Sequence, residues 1–209
     1  MFSDAYGSSL IFKKGNQVKA FDISKHFKLL DDIKIKDEEL KNKVIYFLIK
    51  YKDVYFVPLE LPNEEIFGFL LKSVHSKNFC NFKLDGKEFI PMMYGLGDFQ
   101  DYKFNDQIIL VEGIKECQTF KLFYPYVIAY LTSQPSKKLF QYLQNITNRL
   151  ILVPDNDEVG RSLKYMKKYN NYNKYYCQIS KDFGDYWSSQ DDKYLIEAKM
   201  ILKKEGLII

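Results

Sequence analysis

From residue 107 onward the sequence alternates short apolar runs with segments of helical periodicity, a pattern that a parallel sheet wrapped by helices satisfies. The runs are Gln107 to Val111, closed by Gly113, then Tyr126 to Leu131, Leu150 to Val153 and Tyr175 to Ile179. They read as apolar on both faces, as the buried strands of such a sheet do. Between them, Leu139, Tyr142, Leu143 and Ile146 follow Ser136 at three- and four-residue spacing, and Val159, Leu163 and Met166 follow Asp157 in the same way. A last helix is expected from Asp191 to Glu205, with Leu195, Ala198, Ile201 and Leu202 facing inward. The expected order is β-α-β-α-β-α-β-α.

Before about Asn105 the texture differs, so the chain divides into a smaller mixed α+β lobe over 1–105 and an α/β domain over 106–209. Residues from about Ile23 to Lys50 are lysine-rich and helical in character. Tyr55 to Glu60 and Ile66 to Lys72 read as the arms of a hairpin turning at Leu61-Pro62-Asn63. Between residues 71 and 87 stand Lys72, Lys77, Lys83 and Lys87 against the single acid Asp85, with Phe79 and Phe82 interleaved. Cations with aromatics suit a single-stranded nucleic-acid track or a triphosphate pocket. A solvated lysine-rich hairpin accounts for the same residues.

Composition narrows the classes. A chain of 209 residues with 46% hydrophobic side chains buries its own core without staples. A net charge of +4 excludes a histone-like tail and a polybasic membrane clamp. All the basic residues except Arg149 and Arg161 are lysines, and with 17 Tyr and 17 Phe this is the usage of an AT-rich genome, pointing to a low-GC bacterium or its phage. Cys80, Cys117 and Cys177, with His26 and His75, are too scattered for a zinc knuckle, and the cysteines read as small buried hydrophobes. No signal pattern opens the sequence and no apolar run reaches membrane length, so a reducing, cytoplasmic setting without a membrane partner is expected.

The chemistry is expected outside the carboxyl ends of the strands. The first run leads into Glu112-Gly113, with Glu116 a turn later. The third ends in Asp155-Asn156-Asp157, followed by Glu158 and Gly160-Arg161, and the fourth in Lys181-Asp182-Phe183-Gly184-Asp185. Gathered carboxylates repel unless a cation neutralises them, and hard divalent cations prefer their oxygens. Singly, Asp155 or Asp157 reads equally as a helix N-cap, and Asp182 and Asp185 as turn residues. Together they predict one shared metal site serving phosphoryl-transfer chemistry.

Val111-Glu112-Gly113-Ile114-Lys115-Glu116, Asp155-Asn156-Asp157-Glu158-Val159-Gly160 and Lys181-Asp182 resemble, in order and spacing, the three motifs of the Toprim domain of primases, topoisomerases and some nucleases, over about residues 106 to 185. The resemblance implies Glu112 as general acid/base or metal ligand, and Asp155 and Asp157 as holders of Mg²⁺ or Mn²⁺. Glu116, Asp182 and Asp185 would support that metal cluster. A Phe-x-Pro strand, a Gly-Phe strand ending in a basic residue, a lysine-bearing turn and Tyr94-Gly95-Leu96 also resemble the segment preceding Toprim in bacterial-type primases, over about residues 54 to 113. That similarity places Lys72 and Lys77 at the family's basic positions, where they would contact template or nucleotide phosphates.

Two departures stand out. Phe89-Ile90-Pro91-Met92-Met93 occupies the place of a basic His-Lys-Gly-Arg-like stretch, leaving Lys83 or Lys87 to supply that contact, and Gly184 falls on an acidic position of the last motif. The resemblance implies a minimal, phage-type primase core that makes RNA primers from NTPs on single-stranded DNA. With neither a zinc-binding nor a helicase module in the sequence, a separate template-recognition or helicase subunit is the expected partner. The alternatives are a small Toprim nuclease and a degenerate Toprim module that binds nucleic acid within a larger assembly.

Overall fold

The computed structural model describes residues 12–13, 16–17, 38–51, 54–73, 75–76, 78–84, 86–103, 106–164, 174–176 and 192–208. The chain forms two compact units, one of residues 1–60 and 65–90, the other of 61–64 and 91–209.

In the first unit, β1 (Phe12–Lys13) and β2 (Asn16–Gln17) form a short antiparallel pair. Helix α1 (Glu38–Lys50) buries Val44 and Phe47, one turn apart, and packs against β5. The remainder of the expected helical stretch, 23–37, lies outside the described residues. The expected hairpin is present as β3 (Val54–Glu60) and β4 (Ile66–Ser73), joined by β5 (Phe79–Lys83) into an antiparallel sheet of order β3-β4-β5. Pro58 donates no ladder hydrogen bond, which is tolerated because β3 is an edge strand.

The second unit carries the α/β alternation. Its elements are β6 (Ile108–Val111), α2 (Ile114–Lys121), β7 (Val127–Ala129), α3 (Lys137–Gln144), β8 (Leu150–Val153), α4 (Glu158–Leu163), β9 (Lys174–Tyr175) and α5 (Lys193–Lys204). All four strands run parallel in the order β7-β6-β8-β9. Every residue of β6 is fully buried and those of β8 are at most 3% exposed, as strands covered on both faces must be. Helix α5 packs on α2 and buries Ala198, Ile201 and Leu202, with Leu195 half-buried. Met166, Cys177 and the run up to Ile179 fall outside the described residues.

Ser136 caps α3, its hydroxyl accepting a hydrogen bond from the Leu139 amide at 3.1 Å. Replacing it with Ala is expected to cost about 1 kcal/mol, read as a lowered denaturant midpoint.

The boundary between the units lies earlier than the change of texture near Asn105. Tyr94 exchanges two backbone hydrogen bonds with Ala129, of 3.0 and 2.9 Å, which ties 91–103 to the edge strand β7. Gly95 follows with φ +101°, and a Cβ there would lie 2.5 Å from the Val127 carbonyl oxygen. Only glycine fits so close a passage in that conformation. Lys121 clamps the segment from α2, donating to the Gly95 carbonyl at 2.9 Å and pairing with Asp98.

Cys80 and Cys117 are buried free thiols, in keeping with a structural role. Burial pushes the Cys117 thiol up to about 12, which keeps it protonated and unreactive.

Candidate active site

The order of the parallel sheet reverses between β6 and β8. From β6 the chain steps to β7 on one side, then crosses to β8 on the other. A crevice opens at such a reversal, outside the carboxyl ends of the two diverging strands. Glu112 is the first residue past β6, and Asp155 the second past β8. The register pairs Val111 with Val153, so both acids leave the sheet at the reversal point.

The turn after β6 is built around a carboxylate. Gly113 N-caps α2 with an ordinary extended φ of −115°, so the left-handed region is not what requires glycine here. A Cβ at this position would fall inside van der Waals contact with Glu116 Oε2. Glu116, 5% exposed, folds back over the turn, and the glycine makes room for it.

The loop after β8 is tied at three points. Asp157 N-caps α4, its Oδ1 accepting from the Gly160 amide at 2.7 Å. Arg161 donates to Asn156 Oδ1 at 3.0 Å, and the Tyr175 hydroxyl donates to the Gly160 carbonyl at 2.6 Å. Asp157 thus takes the N-cap role, and Asp155, two residues past β8, is half-buried.

A residue that the sequence pattern did not single out completes the edge. Tyr130 directly follows β7 and is 2% exposed, and its hydroxyl is buried with no hydrogen-bond partner among the described residues. Burial, followed by the charges of Glu112, Asp155, Glu116 and Asp157, pushes this phenol far up, so it remains a neutral donor. All four carboxylates belong to the expected metal ligands of this edge. In the sequence Tyr130 lies inside the apolar run Tyr126 to Leu131, and only the observed strand end at Ala129 sets it one residue past β7, as Glu112 is past β6. The next residue, Leu131, has φ +61°, a left-handed conformation costly for a non-glycine residue, and its amide donates to the Glu112 carbonyl at 2.9 Å.

Asp182 and Asp185, the other expected ligands, lie outside the described residues. Among the described residues no group of three or more His, Cys, Asp or Glu side chains stands close enough to hold a metal ion. The donor chemistry fits hydrated Mg²⁺ or Mn²⁺, which take one or two carboxylates and fill the other positions with water and phosphate. A buried hydroxyl lacking a partner amid carboxylates also fits a site that water or a cation completes.

The expected phosphate-binding lysines belong to the first unit. Lys72 on β4 pairs across the sheet with Phe79, and Lys83 on β5 with Gly68, so both lysines share a face with the half-exposed Phe79. Lys83 donates to the Glu88 carbonyl at 3.0 Å. Lys87 pairs with Glu65 at 2.6 Å. Lys77 lies outside the described residues.

No family model matches the chain, and no curated protein does. Solved structures do. The zinc-binding and RNA polymerase domains of Aquifex aeolicus primase match 97% of this chain and 54% of theirs, at 15% identity and a TM-score of 0.59. The chain has the fold of a DnaG-type primase catalytic core. A DNA primase domain from Pseudomonas aeruginosa matches over 72% of this chain and 51% of its own, at 14% identity and a TM-score of 0.56. The primase fragment of the bacteriophage T7 primase-helicase matches over 70% and 63%, at 17% identity and a TM-score of 0.53. Against the DnaG catalytic cores and the Pseudomonas domain the chain spans about half the length of its match, at 52, 49 and 51%. This primase-core fold is the Toprim-type α/β arrangement expected from the motifs, preceded by a mixed lobe.

Proposed function

We propose that the chain is a phage-type primase core that joins NTPs into short RNA primers on single-stranded DNA. The observation that carries this reading is the placement of Glu112 and Asp155 at the strand-order reversal of a primase-core fold. One of the similar DnaG structures is a catalytic domain bound to single-stranded DNA, which supports the choice of template. A similar phage T7 structure shows primase domains bound to an RNA/DNA hybrid, which supports the product. In this reading a nucleotide 3′-hydroxyl attacks the α-phosphate of the incoming NTP and pyrophosphate leaves. Glu112, Asp155 and Asp157 would hold Mg²⁺ or Mn²⁺, with Glu116, Asp182 and Asp185 in support. Held by these residues, the ion would supply positive charge for phosphoryl-transfer chemistry.

The protein's own contribution is position and field. Gly113 and the Asp157–Gly160 cap hold the acids without reorganisation, and such preorganisation is a large part of catalysis where little covalent chemistry falls to side chains. Lys72, Lys77 and Lys83 would draw template or triphosphate, with Phe79 as a stacking surface. A separate helicase or zinc-binding template-recognition subunit is the proposed partner. Among the described residues no helix is long and apolar enough to cross a membrane.

The test combines protein, single-stranded DNA, labelled NTPs and Mn²⁺. Short RNA is expected from the wild type and none from Asp155→Asn. Cut DNA without NTP incorporation would replace the primase by a nuclease. DNA binding with neither product, even beside a helicase partner, would leave a binding module.

A further inference from the structure

The parallel register sets Val111 beside Ala129, which makes Glu112 and Tyr130 the next residues on adjoining strands. The ladder continues past the strand ends, since the Tyr130 amide donates to the Val111 carbonyl and the Leu131 amide to the Glu112 carbonyl, both at 2.9 Å. Neighbouring strands lie about 4.8 Å apart, so the two side chains rise from adjacent points of one sheet edge. Both Glu112 Oε2 and the Tyr130 hydroxyl are buried there. A buried hydroxyl without a partner is destabilising, and phenylalanine would fill the same space without that cost. The next residue, Leu131, has φ +61°, a strained conformation immediately beside it. A costly hydroxyl next to a strained backbone and beside the Glu112 carboxylate points to a use for that hydroxyl.

We propose that Tyr130 is a positioning residue that donates its O–H to the Glu112 carboxylate when that carboxylate holds a divalent cation. The proposal rests on the metal-dependent reading of this edge. The phenol suits this role because, being neutral, it adds a donor without adding to the repulsion among the acids. Fixing one oxygen of Glu112 leaves the other directed to the cation. Hydrogen-bond partners of metal ligands typically contribute 10–100-fold in affinity.

The experiment measures Mn²⁺ binding calorimetrically, in the absence of nucleotide and DNA, for wild type, Tyr130→Phe and Glu112→Gln, with each protein's unfolding midpoint taken without metal. Tyr130→Phe is expected to bind Mn²⁺ at least tenfold more weakly while its midpoint stays level or rises. Tyr130→Met, which also lacks the donor, should weaken binding similarly. Wild-type affinity in Tyr130→Phe, with binding impaired in Glu112→Gln, would overturn this role alone. Weaker binding matched by a lowered midpoint would overturn it too, because the hydroxyl would then act through packing. A wild type that binds no Mn²⁺ would overturn both this role and the metal-dependent reading.

Discussion

Replacing Glu112 with Gln is expected to lower primer synthesis by about 10²–10⁴-fold while the protein stays folded. The two side chains have the same shape, so the change removes charge and little else. Without metal, Glu112 and Asp155 both leave the sheet at the strand-order reversal, so removing one charge there relieves like-charge repulsion. The metal-free unfolding midpoint should therefore hold or rise. With Mn²⁺ the order reverses. A cation that binds only the folded wild type adds about 2.7 kcal/mol at a concentration of 100 times its Kd, and the variant loses most of that. Thermal melts with and without Mn²⁺, run beside the primer assay, separate this from a folding defect. Full activity in Glu112→Gln would remove Glu112 from the chemistry.

Much of this edge was legible because burial and periodicity are local signals. Ile108–Val111 and Leu150–Val153 are too short and too uniformly apolar to be surface elements, and acids directly after them are out of place unless they serve a site. The helix after Ser136 was legible from its cap and spacing, and it is present as Lys137–Gln144. What escaped depends on partners distant in sequence. Tyr130 reads as the tail of an apolar strand until the β6–β7 register sets it beside Glu112. Residues 91–103 carry no periodicity, so their attachment to β7 through Tyr94 and Ala129 leaves no trace in the pattern. The crowding of Gly113 by Glu116 Oε2 likewise leaves no trace in the pattern.

Gly160→Ala sets two effects of opposite sign against each other. Gly160 is the third residue of α4, where exchanging glycine for alanine ordinarily stabilises a helix by about 1 kcal/mol. Here the added methyl would fall deep inside the Asp155 carbonyl oxygen and 3.3 Å from Asp157 Oδ1. The first of these is backbone, which cannot rotate away, so the loop must move off the helix. Overpacking of this kind costs about 1–3 kcal/mol, and the displaced Asp157 cap adds about 1 kcal/mol. The steric side wins, and a net loss of about 1–3 kcal/mol is expected in chemical denaturation. The loss should exceed that of Asp157→Ala, which removes the cap and leaves the loop in place. Because the displaced backbone carries Asp155, Mn²⁺ binding should weaken in Gly160→Ala even at temperatures where the variant is fully folded. An alanine variant as stable as wild type would mean that the loop after β8 yields freely, and the preorganisation assigned to Asp155 and Asp157 would fall with it.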